Sequence, residues 1–279
     1  MKLTVLTDNN SIIDRYFLSE PALCFLIQDE NRKILFDLGY SDVFMKNAKK
    51  MKMPLTDVDA VVLSHGHNDH TGGLPSLITM SIEESLEKRT FIKPELICHN
   101  KTFQTKIIDE NIDIGSLITE DKLKLHFKME LTNAHFWLTK NLVYLGEIPR
   151  NNNFENKKPV GKVLNNDTFE DDYILDDSAL AYKSKDGLVI ITGCSHSGIC
   201  NIIEHAKKIT GENRVVDIIG GMHLLNPSKE QIEGTINYFK TLNLRNLYPC
   251  HCTDLQSKFE FAKYFSVKET GVSMELYYD

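Results

Sequence analysis

Between residues 61 and 73 the chain reads VVLSHGHNDHTGG. His65, His67, Asp69 and His70 fall within six positions, directly after an apolar run and directly before two glycines. Imidazole nitrogen and carboxylate oxygen are donors that suit Zn, and Mn or Fe as well. His65 and His67 flank Gly66, so a loop can aim both rings at one ion, while Asp69 and His70 can turn toward a second. Two ions about 3.5–4 Å apart polarise a substrate oxygen and lower the pKa of a bridging water. The spacing predicts a site for two divalent metal ions, zinc first, with manganese and iron as alternatives. A charged loop that merely happens to be rich in histidine would leave this spacing without a use.

Such a site needs strands to carry it. DAVVLSH (59–65) reads as a short buried strand feeding the cluster, and a helix is expected after Gly72 and Gly73. LTVLT (3–7), ALCFLIQ (22–28) and KILFDLG (33–39) read as further strands, the last two as a hairpin. Residues 100–135 show no strong period. HFWLTKNLVYLGEIPR suggests two strands, and the polar, turn-rich stretch 151–167 reads as a long loop. A hairpin turning at Lys185-Asp186-Gly187 follows it. Then come a helix in ICNIIEHAKKIT, a strand in VVDIIGGMH, a helix with Ser228 as its N-cap, a strand in RNLYPCH and a closing helix. Four apolar segments thus run into His65, His196, His223 and His251. In layered α/β folds, strand ends on one edge form the crevice that binds ligands, so these four could converge there.

The chain has 279 residues, 42% hydrophobic and 25% charged, with a formal net charge of -7. That describes a soluble globular protein. Lys46, Lys49, Lys50 and Lys52 are its densest basic patch and read as a solvated helix face, so neither nucleic acid nor a membrane is expected as a partner. MKLTVLTDNN lacks the apolar stretch of a secretory leader, and six cysteines are too sparse for a disulfide scaffold of this size. A cytoplasmic, reduced protein is expected. His99, His126, His135 and His205 have no acidic or glycine-rich surroundings and are read as surface or core residues.

The pattern H-x-H-x-D-H after an apolar strand resembles the signature of the metallo-β-lactamase superfamily, and His65, His67, Asp69 and His70 match it position by position. Asp37 in LFDLG stands where that family has a buried aspartate that buttresses the ligand loop, and His251 in YPCHCT where it has its last histidine ligand. The resemblance covers nearly the whole chain. It implies a single domain over residues 1–279 with an α/β fold, a four-layer αββα sandwich whose dinuclear metal site lies at one edge of the two sheets. TDNN, GEIPR, DDSAL, TGCSHSGICN and IIGGMHL further resemble a subgroup labelled 7,8-dihydropterin-6-methyl-4-(β-D-ribofuranosyl)aminobenzene-5′-phosphate synthase-like.

One departure concerns the third histidine ligand, which many members carry some 20–30 residues before a bridging Asp or Cys. No histidine occurs between residues 136 and 193. Cys194 stands in the bridging slot and His196 is the substitute for the missing ligand. For Cys194 the alternative is a small buried residue in a tight turn. Cys250 and Cys252 should point away from His251, because neighbours on a strand face opposite ways, and are expected to be structural. His223 occupies an interval where relatives such as ribonuclease Z place a histidine that assists catalysis, which implies a proton donor; a metal ligand is its other reading.

These features lead to a metal-dependent hydrolase. A hydroxide held by the ions attacks a phosphodiester or ester, Asp69 orients it and His223 protonates the leaving group. The expected substrate is a small phosphorylated molecule, and a homo-oligomer is left open. Two other readings stand beside it, a pterin-pathway synthase or lyase acting on a ribofuranosyl-aminobenzene phosphate and a di-iron redox protein. The last usually replaces the second histidine with an acid, and His67 weighs against it.

Overall fold

The computed structural model describes residues 1–109 and 112–279. The first part of the chain lays down β1 (Lys2–Thr7), β2 (Cys24–Asp29), β3 (Arg32–Phe36), α1 (Val43–Lys50) and β4 (Ala60–Val62). The short α2 (Asn68–Thr71), α3 (Leu74–Leu86) and β5 (Glu95–Cys98) follow. The stretch without a period holds β6 (Lys106–Ile108), β7 (Ile112–Asp113), α4 (Glu120–His126) and β8 (Lys128–Leu131). Next come β9 (Phe136–Trp137), β10 (Leu142–Tyr144), β11 (Lys162–Asn165), β12 (Thr168–Asp171), β13 (Ala179–Lys183) and β14 (Leu188–Thr192). The chain ends with α5 (Ile199–Thr210), β15 (Val215–Gly220), α6 (Lys229–Phe239), β16 (Asn246–Pro249), α7 (Leu255–Ala262) and β17 (Glu275–Tyr277).

These strands form a seven-stranded sheet, ordered β17-β1-β2-β3-β4-β5-β8, and a six-stranded sheet, ordered β16-β15-β14-β13-β10-β9. Strand alternation assigns each face. Phe25, Ile27, Ile34, Phe36 and Val62 of the first sheet meet Tyr144, Leu180, Val189, Ile191 and Ile219 of the second in one buried cluster. The intervening Leu26, Leu35, Val61 and Leu96 face outward under Phe44 of α1, Leu74 and Leu77 of α3 and Leu123 of α4. On the far side, Ile190 and Ile218 face Ile202 and Ile203 of α5, Phe239 of α6 and Phe261 of α7. Burial on both faces explains why KILF and LVIIT read as unbroken apolar runs rather than alternating ones. The layers are αββα.

One expectation fails. The stretch 151–167 is not simply a long loop, because β11 within it pairs antiparallel with β12 and with β6, and β7 completes a four-stranded sheet. Its hairpin turns through Asn166 and Asp167, both at positive φ, which is the backbone of a tight two-residue turn favoured by Asn and Asp. Four exposed or half-exposed residues per strand are too few to show a period.

The topology sets the site. β14, β15 and β16 are mutually parallel, as are β3, β4 and β5. The carboxyl ends of β4, β14, β15 and β16 therefore deliver the segments after residues 62, 192, 220 and 249 to one edge of the sandwich. Ser228 caps α6 by accepting from the Gln231 amide at 3.2 Å.

Candidate metal centre

The loop from β4 into α2 carries four of the expected residues. Gly66 between the first two histidines is tightly enclosed, and a Cβ there would stand 1.9 Å from the Thr102 carbonyl oxygen. Its amide donates to Asp176 Oδ2 at 2.8 Å, and Asp176 Oδ1 accepts from Lys106 Nζ at 2.8 Å. Lys106 also donates to Asp172 at 3.0 Å and is buried. A charged network thus fixes the backbone between His65 and His67. On the other side of the cleft the neighbouring Asp177 accepts from the amide and hydroxyl of Ser197, at 2.9 and 2.5 Å, and so holds the segment that bears His196. Two consecutive aspartates each tie down one histidine-bearing loop.

Asp37 does the same for His70. Its Oδ2 accepts from His70 Nδ1 at 2.7 Å and from the Ser64 hydroxyl at 2.8 Å, and its Oδ1 from the Ser64 amide at 2.7 Å. With Nδ1 donating to Asp37, Nε2 is the atom His70 offers to a ligand. That atom faces Cys194 Sγ and His251 Nε2, each at 3.2 Å, and Asp69 Oδ2 at 3.6 Å. His251 Nε2 is in turn 3.2 Å from Asp69 Oδ2. Donor atoms sharing a tetrahedral ion with bonds of about 2.0–2.1 Å stand about 3.3 Å apart, so the spacing fits a cation at their centre. His251 is aimed by the first strand's end, with Asn9 Oδ1 at 3.1 Å from its Nδ1 and Asp8 Oδ1 accepting from its amide at 3.0 Å.

His65 Nε2 and His67 Nδ1 lie 3.0 Å apart, and the ring of His196 packs 4.8 and 4.9 Å from theirs. His67 Nε2 and both ring nitrogens of His196 are buried without a hydrogen-bond partner. Unpaired buried polar atoms are costly, and on two adjacent rings they mark a position for a ligand. The donor atoms of Asp69, His70, Cys194 and His251 lie within 4.8 Å of one another, as do those of His65, Cys194 and His196, and those of His65, His67 and Asp69. Cys194 is thus common to both sides. Among the described residues, these nitrogen, oxygen and sulfur donors fit borderline transition ions better than the oxygen-seeking Mg2+ or Ca2+.

The charges agree. Burial pushes His67 down to about 4 and His65 well below its usual value, so both rings are neutral and free to ligate. Burial acts the same way on His70 but is outweighed by Asp69 and Asp37, which raise it to about 9, so the metal-free ring carries a proton on each nitrogen and an ion must displace the one at Nε2. Asp69 is held well below the usual carboxylate range, its burial more than offset by His70 and His251. Asp37, Ser195, His223 and His251 all adopt positive φ, a concentration of strained backbone that functional sites retain.

A family description, the metallo-β-lactamase superfamily, matches residues 20–79. The 7,8-dihydropterin-6-methyl-4-(β-D-ribofuranosyl)-aminobenzene-5′-phosphate synthase of Methanocaldococcus jannaschii is 32% identical over 276 residues, spanning 95% of this chain and 92% of that protein. This chain belongs to the metallo-β-lactamase superfamily. The crystal structure of a metal-dependent hydrolase of the β-lactamase superfamily superposes with a TM-score of 0.84 at 29% identity, over all of both chains. A diphosphatase of the PhnP family, 15% identical, shares the fold with a TM-score of 0.55 over 99% of this chain and 96% of that one.

In this superfamily member the four strand-end histidines share one cleft, with the His223 ring centroid 4.1 Å from that of His196 and tilted 49° to it. One expectation for the cysteines is overturned. Cys250 is buried in the core between the sheets, but Cys252 does not point away, since its sulfur accepts from the His223 amide at 3.2 Å. The strand stops at Pro249 and His251 takes φ 51, so the alternation that would separate the two cysteines from His251 does not apply. Sequence reasoning assigned no role to Asp8, Asn9, Lys106, Asp176 or Asp177. The motifs TDNN and DDSAL were the signal for all but Lys106. A cavity of about 270 Å3, lined by Phe154, Lys157, Lys158, Met222 and Leu225, opens onto His196 and His223. A larger one of about 760 Å3, between α1 and α3, includes none of the site residues.

Proposed function

We propose that the protein is a hydrolase that holds two zinc ions, one at His65, His67 and His196 and the other at Asp69, His70 and His251, with Cys194 between them. The observation that carries this reading is the donor geometry, in which ligating atoms from the ends of β4, β14 and β16 gather within 4.8 Å of one another in overlapping groups, and His67 and His196 hold buried nitrogens without a partner. Such ions, when bound, supply Lewis acidity toward a substrate oxygen and acidify a water. The chain's own residues supply the rest. Asp37, Asp176 and Asp177 fix the ligands, and Asp69 orients the attacking water through the carboxylate oxygen it leaves free. His223 lines the cavity, and its Nδ1 has no partner. It donates its ring proton to the departing oxygen. Although burial lowers its pKa, the Cys252 sulfur and the charges of Asp177 and Asp69 raise it above the ordinary value, as an acid requires. The substrate is a small phosphorylated molecule, with Lys157 and Lys158 at the cavity offering positive charge in an otherwise acidic chain.

A second reading rests on the 32% identity to the archaeal synthase, and is the joining of a dihydropterin that carries a leaving group on its 6-methyl carbon to the amine of a ribofuranosyl-aminobenzene phosphate, the amine displacing that group. Incubation with a panel of nitrophenyl phosphodiesters and with that pterin and phosphate pair separates the two by product. Within the hydrolase reading, His223→Ala should retain both ions and lose roughly 10²–10⁴ in turnover, least for nitrophenolate, which leaves without a proton. Equal losses across leaving groups at full metal content would remove His223 from the mechanism.

A further inference from the structure

One donor set remains. The donor atoms of Cys194, His223 and Cys252 also lie within 4.8 Å of one another. Both thiols are free and buried, and Cys252 Sγ lies 3.5 Å from the Cys194 carbonyl. His223 Nδ1 is buried without a partner. The backbone keeps the space beside the sulfurs clear, since a Cβ at Gly221 would stand 2.5 Å from Cys252 Sγ and 3.3 Å from Cys194 Cα. Two sulfurs and an imidazole suit a thiophilic ion such as Zn2+, and binding would release the thiol protons.

We propose that Cys194, His223 and Cys252 form a third cation position, distinct from the two in the histidine–aspartate cleft, which silences the site when filled by Zn2+. The inhibition follows from shared parts. An ion here draws Cys194 away from the pair it serves and occupies the imidazole that protonates the leaving group. Only this inhibitory half rests on the hydrolase reading; the binding half stands on the donor geometry alone.

Titration of metal-free protein with Co2+ tests the binding half, with ions counted by equilibrium dialysis and the near-ultraviolet thiolate-to-cobalt band followed. The wild type should take three ions, with the band still growing during the third. Cys252→Ser should take two and lose that late growth, while Cys200→Ser, altered in α5, should behave as the wild type. If Cys252→Ser does not fold, His223→Ala should also stop at two. A wild type that saturates at two ions, or a band indifferent to Cys252, overturns the position. Excess Zn2+ should then lower wild-type activity on a phosphodiester with an alkoxide leaving group by roughly the 10²–10⁴ of a lost general acid, and should leave the activity of Cys252→Ser on the same substrate insensitive to Zn2+. No phosphodiesterase activity at two ions, with the third still counted, would refute the hydrolase reading and leave the third position standing.

Discussion

Replacing Asp37 by Asn changes one atom in the buried support of His70 and should reverse that ring's tautomer. In the native site Oδ1 accepts from the Ser64 amide while Oδ2 accepts from His70 Nδ1 and the Ser64 hydroxyl. An asparagine has one acceptor oxygen, which the immobile backbone amide claims. Its NH2 group then faces His70 Nδ1, and the pair avoids a clash of protons only if Nδ1 gives up its hydrogen. The proton moves to Nε2, the atom facing Asp69, Cys194 and His251, and removes the lone pair a metal needs. Asp37 sits at φ 57, a conformation asparagine accepts readily, so backbone strain does not confuse the result. Loss of such an outer partner costs about 10–100-fold in metal affinity, or about 1.4–2.7 kcal/mol. Competition against a chromophoric chelator at neutral pH should show one ion weakened by this factor and the other nearly unchanged. A folded variant that binds both ions as tightly as wild type would refute the tautomer argument.

Gly66→Ala should fold poorly or lose metal, because its methyl group would overlap the Thr102 carbonyl, and metal content after gel filtration reports this. Lys106→Met leaves Asp172 and Asp176 buried without their cation, and should cost about 3–5 kcal/mol in urea unfolding of the metal-free protein. Lys106 lifts Asp176 out of the protonated form despite its burial, so its folded pKa lies below the ordinary 3.8. The stabilisation from this carboxylate is complete above that value and is lost as pH falls through the folded pKa. Lys106, raised above 10.5 by the two aspartates against its own burial, contributes below that value and loses its share as pH rises through the folded pKa. The gap between wild type and Lys106→Met should therefore be smallest in acid, widen as pH rises through the raised pKa of the buried aspartates left without their cation, and close again as Lys106 of the wild type deprotonates; a gap indifferent to pH across this range would contradict the ion network.

The 65–70 loop was legible because its chemistry is compressed into six residues, and the strand ends were legible because parallel strands buried on both faces leave continuous apolar runs. Cys252 was misread because the alternation argument assumes a strand, and the backbone leaves β-structure two residues earlier. Asp176 and Asp177 stood out as a motif but not as devices. Their partners lie 110 and 20 positions away, and sequence spacing carries no sign of such pairings. Lys106 had no signal at all. It lies in a three-residue strand that is one of the short pieces of the four-stranded sheet, too short for any periodicity to show.

His70 and His251 meet although 181 positions separate them along the chain. An ion between them acts as a staple across that entire span, joining the first sheet's loop to the last strand of the second. A covalent cross-link closing a loop of this length would remove about 5 kcal/mol of chain entropy from the unfolded state. A coordinate bond can supply a comparable restraint, and one that dissolves when the ion leaves. Resistance to unfolding then becomes a function of free metal concentration, rising by RT ln(1 + [L]/Kd) for each site. In a metal-poor setting the two sheets keep their shared core but lose this tether, and the edge that carries the chemistry is the first place where the sandwich can open.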